Sequence, residues 1–457
     1  MIQPTRVKPL NDQPVRRGVY VLYWMQQSQR AEWNHALEYA IRQANALGLP
    51  VVAGFGLTDA FPDATLRHYR FMLEGLRETQ HLLRRRGIQM VVRRGAPDKV
   101  AADLGRRAAL LVADRGYLSI QKAWRANVAA GARCRVVQVE SDVVVPVQTA
   151  SDKEEYAART IRPKLHRLLA DYLVPLRHRR PKRDSLGLRL RTVSLAEPDA
   201  ALAGLRIDRS VGPSPLFRGG TREAKRRLAR FIRSGLPVYD RESSDPAADG
   251  VSHLSPYLHF GQISPLYVAL QVLAKGGKRS AGADSYLEQL IIRRELSMNF
   301  VNYRPDYGAF SCIPDWAGRT LSEHAADPRE YVYSLRQWER AETHDPYWNA
   351  AQHEMAAGGK MHNYMRMYWG KKVIEWSKTP QEAFRTLLYL NNKYELDGRD
   401  ANGFTGVAWC FGKHDRAWSE RAVLGKLRYM SAAGLDRKFH MPAYLRRVGE
   451  IEGGRNE

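Results

Sequence analysis

Residues 18–57 read GVYVLYWMQQSQRAEWNHALEYAIRQANALGLPVVAGFGL. Two near-continuous apolar runs, Gly18–Met25 and Val51–Leu57, flank a stretch with helical periodicity over Arg30–Leu47. Apolar runs of this length, without polar alternation, are the mark of strands buried on both faces of a parallel sheet. The pattern repeats: Ile88–Val92, Ala109–Ala113 and Val136–Val139 read as further strands, and Leu66–Arg86, Lys99–Arg107 and Ser119–Ala132 as the helices between them. The first third of the chain is therefore expected to be a doubly wound α/β sheet, with ligands beyond the C-terminal strand ends. No G-x-G-x-x-G follows the first strand and no G-x-x-x-x-G-K-[ST] occurs, which argues against a standard dinucleotide or P-loop site.

After Ser151 the strand pattern stops. Arg177–Arg191 is basic and broken by proline and glycine, as in a linker. Beyond Pro215 the periodicity is helical: Thr221–Ser234, Pro265–Lys275, Tyr286–Asn302, Asn349–Ala356, Asn363–Trp376 and Pro380–Asn391. The expected organisation is an α/β domain over 15–148, a linker over 149–212 and an all-α domain over 213–450.

Composition narrows the function. Of 457 residues, 72 are Lys or Arg and 48 Asp or Glu, a net charge of +24. That balance suits a polyanionic partner; an arginine-favouring codon bias is the competing account. No apolar run of roughly 18 residues or more suggests a membrane span, and no signal peptide is visible. Three scattered cysteines, Cys134, Cys312 and Cys410, fit a reducing compartment, so a cytoplasmic location is expected.

Several segments carry chemistry. Asn391–Arg428 places an acidic, glycine-punctuated loop (Asp397, Gly398, Asn402) ahead of Trp409, His414-Asp415, Trp418, Lys426 and Arg428. Such a run offers a polar ring cofactor a holder, an unpaired base a stacking surface and phosphate its cations. Val251–Gly261 contains Ser252, His253, Leu254 and Ser255 before a helix, an expected anion pocket for a diphosphate. In Tyr286–Asn302, Glu288, Gln289, Arg293 and Glu295 lie close together, and Gln289 and Arg293 share a face. They would hydrogen-bond a pyrimidine edge; surface ion pairing is the alternative. Trp369 and Trp376 are seven apart in one helix, about 10 Å along its axis, a spacing open to electron hopping or to core packing. His344-Asp345 and His414-Asp415 read as turn and helix-cap pairs, and no metal site can be assembled from them.

Together SHLSPYLHFGQIS, EQLIIRRELSMNF, THDPYWNA, GKMHNYMRMYWGKKVIEWS, YELDGRDANGFTGVAW and KHDRAWSERAVLGKLRYM resemble the class II cyclobutane pyrimidine dimer DNA photolyases, and Ala150–Leu165 is similar to them too. The resemblance implies the photolyase fold, reduced FAD as cofactor, room for an antenna chromophore of unassigned identity, and double-stranded DNA containing pyrimidine dimers as partner of a monomeric enzyme. It implies that Tyr239, Ser252, His253, Leu254 and Ser255 surround the FAD phosphates, and that Asn363 and Arg366 line the flavin. Asp397, Gly398 and Asn402 would lie close by, with Asn391 facing flavin N5. Trp369 and Trp348, with Trp376 a candidate third member, would be the photoreduction tryptophans. Glu288, Gln289 and Arg293 would meet the dimer, Trp409 stack on it, Trp418 fill its gap, and Lys426 and Arg428 contact phosphate. One departure stands out: the family shows two consecutive glutamates where this chain has Glu288-Gln289. A glutamine can donate a hydrogen bond to the dimer, but it cannot transfer a proton.

Two rivals remain at this level. A cryptochrome-like blue-light flavoprotein sensor without repair usually carries a long C-terminal extension, whereas only Glu450–Glu457 is expected to follow the last helix here. A non-catalytic basic nucleic-acid-binding protein would be colourless when purified.

Overall fold

A computed structural model describes residues 2–275 and 280–453. Glu450–Gly453, expected to follow the last helix, form the end of it, Met441–Gly453, and residues 454–457 lie outside the described span. Six strands form one sheet in the order β1-β6-β5-β2-β3-β4: β1 Val7–Pro9, β2 Tyr20–Trp24, β3 Val51–Leu57, β4 Gln89–Arg94, β5 Ala108–Asp114 and β6 Arg135–Val139. The pairs β2–β3, β2–β5, β3–β4 and β5–β6 are parallel, with Val21 opposite Val51 and Leu110. Strand β1 runs antiparallel to β6. At three residues it is too short to show a period in sequence.

Every residue of β2, β3 and β5 is buried, because helices cover both faces. α1 (His35–Leu47) and α2 (Leu66–Arg85) pack on one side, α3 (Pro97–Gly105) and α4 (Ser119–Gly131) on the other. α1 starts at His35 and not at Arg30, since Asn34 caps it by accepting the Leu37 N–H at 3.0 Å. Arg30 instead is buried and reaches Asp142 and the carbonyls of Ser141 and Gly261.

The span 149–212, expected as a linker, contains α5 (Ala158–Tyr172) and a short helix Pro198–Ala203. Ile161 and Leu165 of α5 sit in the same apolar cluster as Leu290, Ile291 and Leu296. That burial ties α5 to the helical half. Only the run between the two helices is extended strap.

The helical half includes α6 (Thr221–Arg230), α7 (Pro265–Lys275), α8 (Arg294–Tyr303), α9 (Pro346–His353), α10 (Asn363–Glu375), α11 (Pro380–Tyr394) and α12 (Ala401–Cys410). The first turn of α12 falls in the stretch expected as an acidic loop, because Gly403 and Gly406 lower helix propensity. Burial of Val407, Ala408 and Cys410 overrides that preference. Three helices carry wide i→i+5 turns: Phe231–Gly235 after α6, Glu288–Arg293 before α8 and Glu354–Gly358 after α9. Such turns often mark functional sites. Among the described residues no helix is long and apolar enough to cross a membrane.

Candidate active site

A cavity of about 640 Å³ opens in the helical half. Its walls come from the wide turn Glu288–Arg293 with α8, from α10, from the end of α11 and from α12. Of the residues singled out in sequence, Gln289, Arg293, Asn363, Arg366, Trp369, Asn391, Asn402, Trp409, Trp418 and Arg428 all line it. Residues as far apart as Gln289 and Arg428 thus meet around one space.

At its base lies a buried charge cluster. Arg366 Nη2 donates to Glu395 Oε2 at 2.9 Å and to Asp397 Oδ1 at 2.9 Å, while its Nε donates to the Met361 carbonyl. Burial pushes the Glu395 carboxyl up to about 8, against the pull of Arg366. Burial acts on Asp397 too, but there Arg366 and Lys360 win and hold the carboxyl below its usual range. The cluster therefore keeps one firm carboxylate beside Arg366 and Lys360, leaving the cationic pair incompletely neutralised when Glu395 is protonated.

Asn391 stands over this cluster. Its Nδ2 donates to Asn392 Oδ1 at 3.0 Å. A Cβ on Gly398 would lie 2.4 Å from the Asn391 carbonyl oxygen, and one on Gly403 2.9 Å from Asn391 Nδ2. Glycine at both positions lets the Asp397–Asp400 turn and α12 close against Asn391. Asp397 and Gly398 support the wall from behind.

The expected anion pocket is arranged differently from its sequence reading. The helix after Ser252–Leu254 is only Ser255–His259, one turn, so its dipole is small. Tyr239 packs edge-on against Tyr286, whose hydroxyl donates to Ser252 at 3.2 Å. Leu254 is core, and His253, with φ of +52°, contacts Asp249 Oδ1 through Nε2 at 2.7 Å. None of Tyr239, Ser252, His253, Leu254 and Ser255 is among the walls of the 640 Å³ cavity. However, His253 Nδ1 and His362 Nε2 are buried without a protein partner among the described residues, and both feel the charge of Lys360. Unsatisfied nitrogens beside a buried ammonium fit the phosphates of a dinucleotide cofactor.

The tryptophans form a continuous column. Trp369 and Trp348 stack at 6.3 Å and 13°. The Trp348 Nε1 donates to the Trp369 carbonyl, and the Trp369 Nε1 to Gln352 Oε1, both at 3.0 Å. Trp376, just past the end of α10, meets this pair through Trp338, which lies 4.7 Å from Trp348 and stacks on Trp376 at 6.3 Å and 7°. The seven-residue spacing of Trp369 and Trp376 pointed to a direct pair. Trp338, on the short helix Leu335–Glu339, gave no periodic signal and was missed.

Glu288 also departs from its expected place. It accepts from Arg162 Nε at 3.0 Å and Nη2 at 2.7 Å, and pairs with Arg293 Nε at 3.3 Å. Its carboxylate is thus occupied outside the cavity wall, tying α5 to the wide turn. Gln289 faces the cavity alone of that pair. Trp409 is half-buried, with the Arg293 guanidinium 5.5 Å from its ring. Trp418 is 37% exposed and lies between Arg416 and Arg428, at 4.8 and 4.3 Å. Lys426 is exposed, 3.9 Å from Glu420, and outside the wall.

The two His-Asp pairs differ: His414 also lines the cavity, with its Nε2 buried and unpartnered among the described residues. Asp345 caps α9 by accepting the N–H groups of Tyr347 and Trp348, and His414 contacts the Tyr156 carbonyl at 2.7 Å. Among the described residues no group of three or more His, Cys, Asp or Glu is placed to hold a metal.

A second pocket, about 90 Å³, lies beyond the C-terminal ends of β2 and β3. Asp114 orders its rim by accepting the N–H groups of Gln26, Gln27 and Ser28. Gln26 Nε2, Gln29 Oε1, His259 Nδ1 and two nitrogens of Arg399 are buried there without partners among the described residues.

The chain is similar to known proteins in sequence and in fold. Residues 21–182 match the family model described as DNA photolyase. A deoxyribodipyrimidine photo-lyase of Methanothermobacter thermautotrophicus is 54% identical over 98% of this chain and 99% of its own. One of Arabidopsis thaliana is 38% identical over 98% of this chain and 94% of its own. The structure of an archaeal photolyase from Sulfolobus tokodaii with two FAD molecules superposes with a TM-score of 0.72 at 18% identity, covering 93% of this chain and 89% of that one. The chain is a member of the DNA photolyase family.

Proposed function

We propose that this chain is a class II cyclobutane pyrimidine dimer photolyase, a monomeric cytoplasmic enzyme that repairs dimers in double-stranded DNA under light. One observation carries the reading: a single cavity joins the Arg366–Asp397 pair, the start of the tryptophan column and the Trp409–Arg293 wall. The long motifs that resemble class II enzymes, and the relatives matched along almost the whole chain, support it further.

The residues fit FAD. Arg366, Asn363, Asn391 and Asn402 would border the ring system, while Lys360, His253 and His362 would meet the diphosphate. Reduced FAD, when bound, supplies the photoexcited electron that splits the dimer ring. The protein's share is position and field. Arg366 and Lys360 favour an anionic ligand at the base of the cavity. Trp409 offers a stacking face for an extruded dimer, whose weak pairing lowers the cost of extrusion. Gln289 would donate its amide N–H to a dimer carbonyl, and Arg428 would hold phosphate near Trp418. The column Trp369–Trp348–Trp338–Trp376 would carry electrons inward to keep the cofactor reduced, apart from repair itself. The 90 Å³ pocket, with its unpartnered amides and Arg399, suits the polar edge of an antenna chromophore.

The deciding experiment is blue illumination of the reduced protein with an oligonucleotide carrying a thymine dimer. Restored thymines in the light and none in the dark are expected. Dimers that persist under light would remove the proposal and favour the cryptochrome-like sensor.

A further inference from the structure

The two ends of the sheet keep different company. At the C-terminal end the segments after β2, β5 and β3 meet the helical half: Gln27 Nε2 donates to the His259 carbonyl, Arg115 Nη2 to Asn302 Oδ1, and Asn392 Nδ2 to Asp63 Oδ2. The N-terminal end makes no such contact among the described residues and is lined by cations. Arg17 precedes β2, Arg84 and Arg85 precede β4, and Arg107 precedes β5. Arg133 stands before β6. In the sheet order β6-β5-β2-β3-β4, only the approach to β3 lacks a cation of its own.

The basic strap that follows α5 fills that gap. Asn45, near the end of α1, donates from Nδ2 to the Arg180 carbonyl at 3.0 Å and accepts the Lys182 N–H at 2.7 Å. Arg179 N–H donates to Glu38, and Gln89 N–H to Ser185 Oγ. These bonds fix the strap along the same rim, with Arg180, Lys182 and Arg183 exposed.

The rim cations are spare. Arg17, Arg84, Arg85, Arg107 and Arg133, like the three exposed strap residues, have no ion-pair partner among the described residues. Elsewhere some exposed arginines pair, as Arg226 with Glu223, while others such as Arg222, Arg230 and Arg233 do not among the described residues, so it is the alignment of the rim cations along one sheet edge that sets them apart. Compensation of helix dipoles accounts for about one cation per helix end. It does not account for Arg17, which follows no helix, nor for the doublet before β4. Five parallel strands span about 20 Å at roughly 4.8 Å each. A duplex carries one charge per roughly 1.7 Å of axis, so about half a dozen phosphates would face that width.

We propose that this rim is a second, sequence-independent contact surface for double-stranded nucleic acid, gripping a stretch of backbone remote from the one at the cavity. It extends the proposed repair function but needs neither light nor cofactor. The experiment compares three quintuple variants in the dark. The first carries Arg17→Gln, Arg84→Gln, Arg107→Gln, Arg133→Gln and Lys182→Gln. The second removes the same charge elsewhere, by Arg222→Gln, Arg230→Gln, Arg233→Gln, Arg241→Gln and Lys275→Gln. The third keeps the charge at the rim, with lysine for each arginine and arginine for Lys182. Affinity for an undamaged 30-base-pair duplex is measured across a salt series.

The rim-neutral variant is expected to lose at least tenfold in affinity near 150 mM salt, and its log–log salt slope to flatten by about 4–5. The charge-keeping variant should bind as the parent does, and the displaced-charge variant should lose much less. Equal losses in the rim-neutral and displaced-charge variants would overturn the proposal, as would no loss at the rim. A loss confined to phosphatidylglycerol–phosphatidylcholine vesicles would overturn it in favour of a membrane surface. Failure of light-driven repair with rim binding intact would strike the function alone.

Discussion

Replacing Trp409 by alanine tests the cavity most directly. The side chain stands on α12 at the cavity wall, half-buried, with Arg293 at 5.5 Å as its cationic neighbour. Packing of α12 rests on Val407, Ala408 and Cys410, so truncation widens an existing space and leaves the core intact. The loss of the Arg293 contact costs about 0.5–1 kcal/mol at an open site. Stacking of a base on an aromatic ring is worth about 1–3 kcal/mol. At 1.4 kcal/mol per factor of ten, dimer affinity should fall about 5- to 150-fold. Undamaged duplex, which presents no extruded base, should lose little. Competition binding of dimer-bearing and undamaged duplexes at one salt concentration gives the ratio of the two affinities, and that ratio should collapse. Trp409→Phe should fall between. Trp418→Ala should change the ratio less, because that ring is more exposed and already flanked by Arg416 and Arg428. Equal losses on both duplexes, or an unchanged dimer affinity, would refute the stacking role.

Gln289→Glu should raise the repair yield of the chemically reduced protein, since a carboxylic acid donates and also transfers a proton; equal yields in the two proteins would defeat that reasoning. Trp348→Phe should slow light-driven recharging of oxidised cofactor at least tenfold while leaving repair by chemically reduced protein intact, and transient absorption separates the two. Burial carries the carboxyls of Glu295 and Glu395 up to about 8 from 4.5. A raised folded pKa means stability that is full below the unfolded value and lost as pH rises toward about 8. Each such proton steepens the loss by about 1.4 kcal/mol per pH unit within that window. Denaturant midpoints from pH 5.5 to 7.5 should therefore fall for the parent chain and flatten in Glu295→Gln; an unchanged slope would show that Glu295 is ionised when folded.

Legibility in the sequence followed the reach of the forces involved. β3 appears at Val51–Leu57 because a run buried on both faces excludes polar residues altogether. α7 is equally plain over Pro265–Lys275, with proline at its start. β1 is different: three residues on an antiparallel edge are specified by the partner strand and leave no period. α12 hides its helix behind two glycines whose reason is the contact with Asn391 and its surroundings, a long-range fact. At the site, the members of motifs that share a helix face were legible, as with Gln289 and Arg293. Which of two adjacent carboxyl-like residues faces the cavity was not. That depends on Arg162, 126 positions away, which takes Glu288 and so turns the neighbouring position inward. Trp338 was equally hidden, since its role in the column follows from three-dimensional stacking and not from spacing.

This switch of faces sits at the wide turn before α8. At 100° per residue the adjacent Glu288 and Gln289 already point to different sides of the helix, one toward α5 and one toward the cavity. The wide turn Glu288–Arg293 places its irregular stretch at this junction, where Glu288 binds Arg162 and Gln289 and Arg293 line the cavity. The same helix then continues into α8, where Arg294 Nη2 holds Asp142 at 3.0 Å and Glu295 accepts the N–H groups of Val144 and Val145. One element therefore anchors the sheet with its regular part and shapes the cavity with its irregular part. Rigid attachment to the sheet is what allows a bulged turn, which forfeits regular hydrogen bonding, to hold two side chains at fixed positions in the wall.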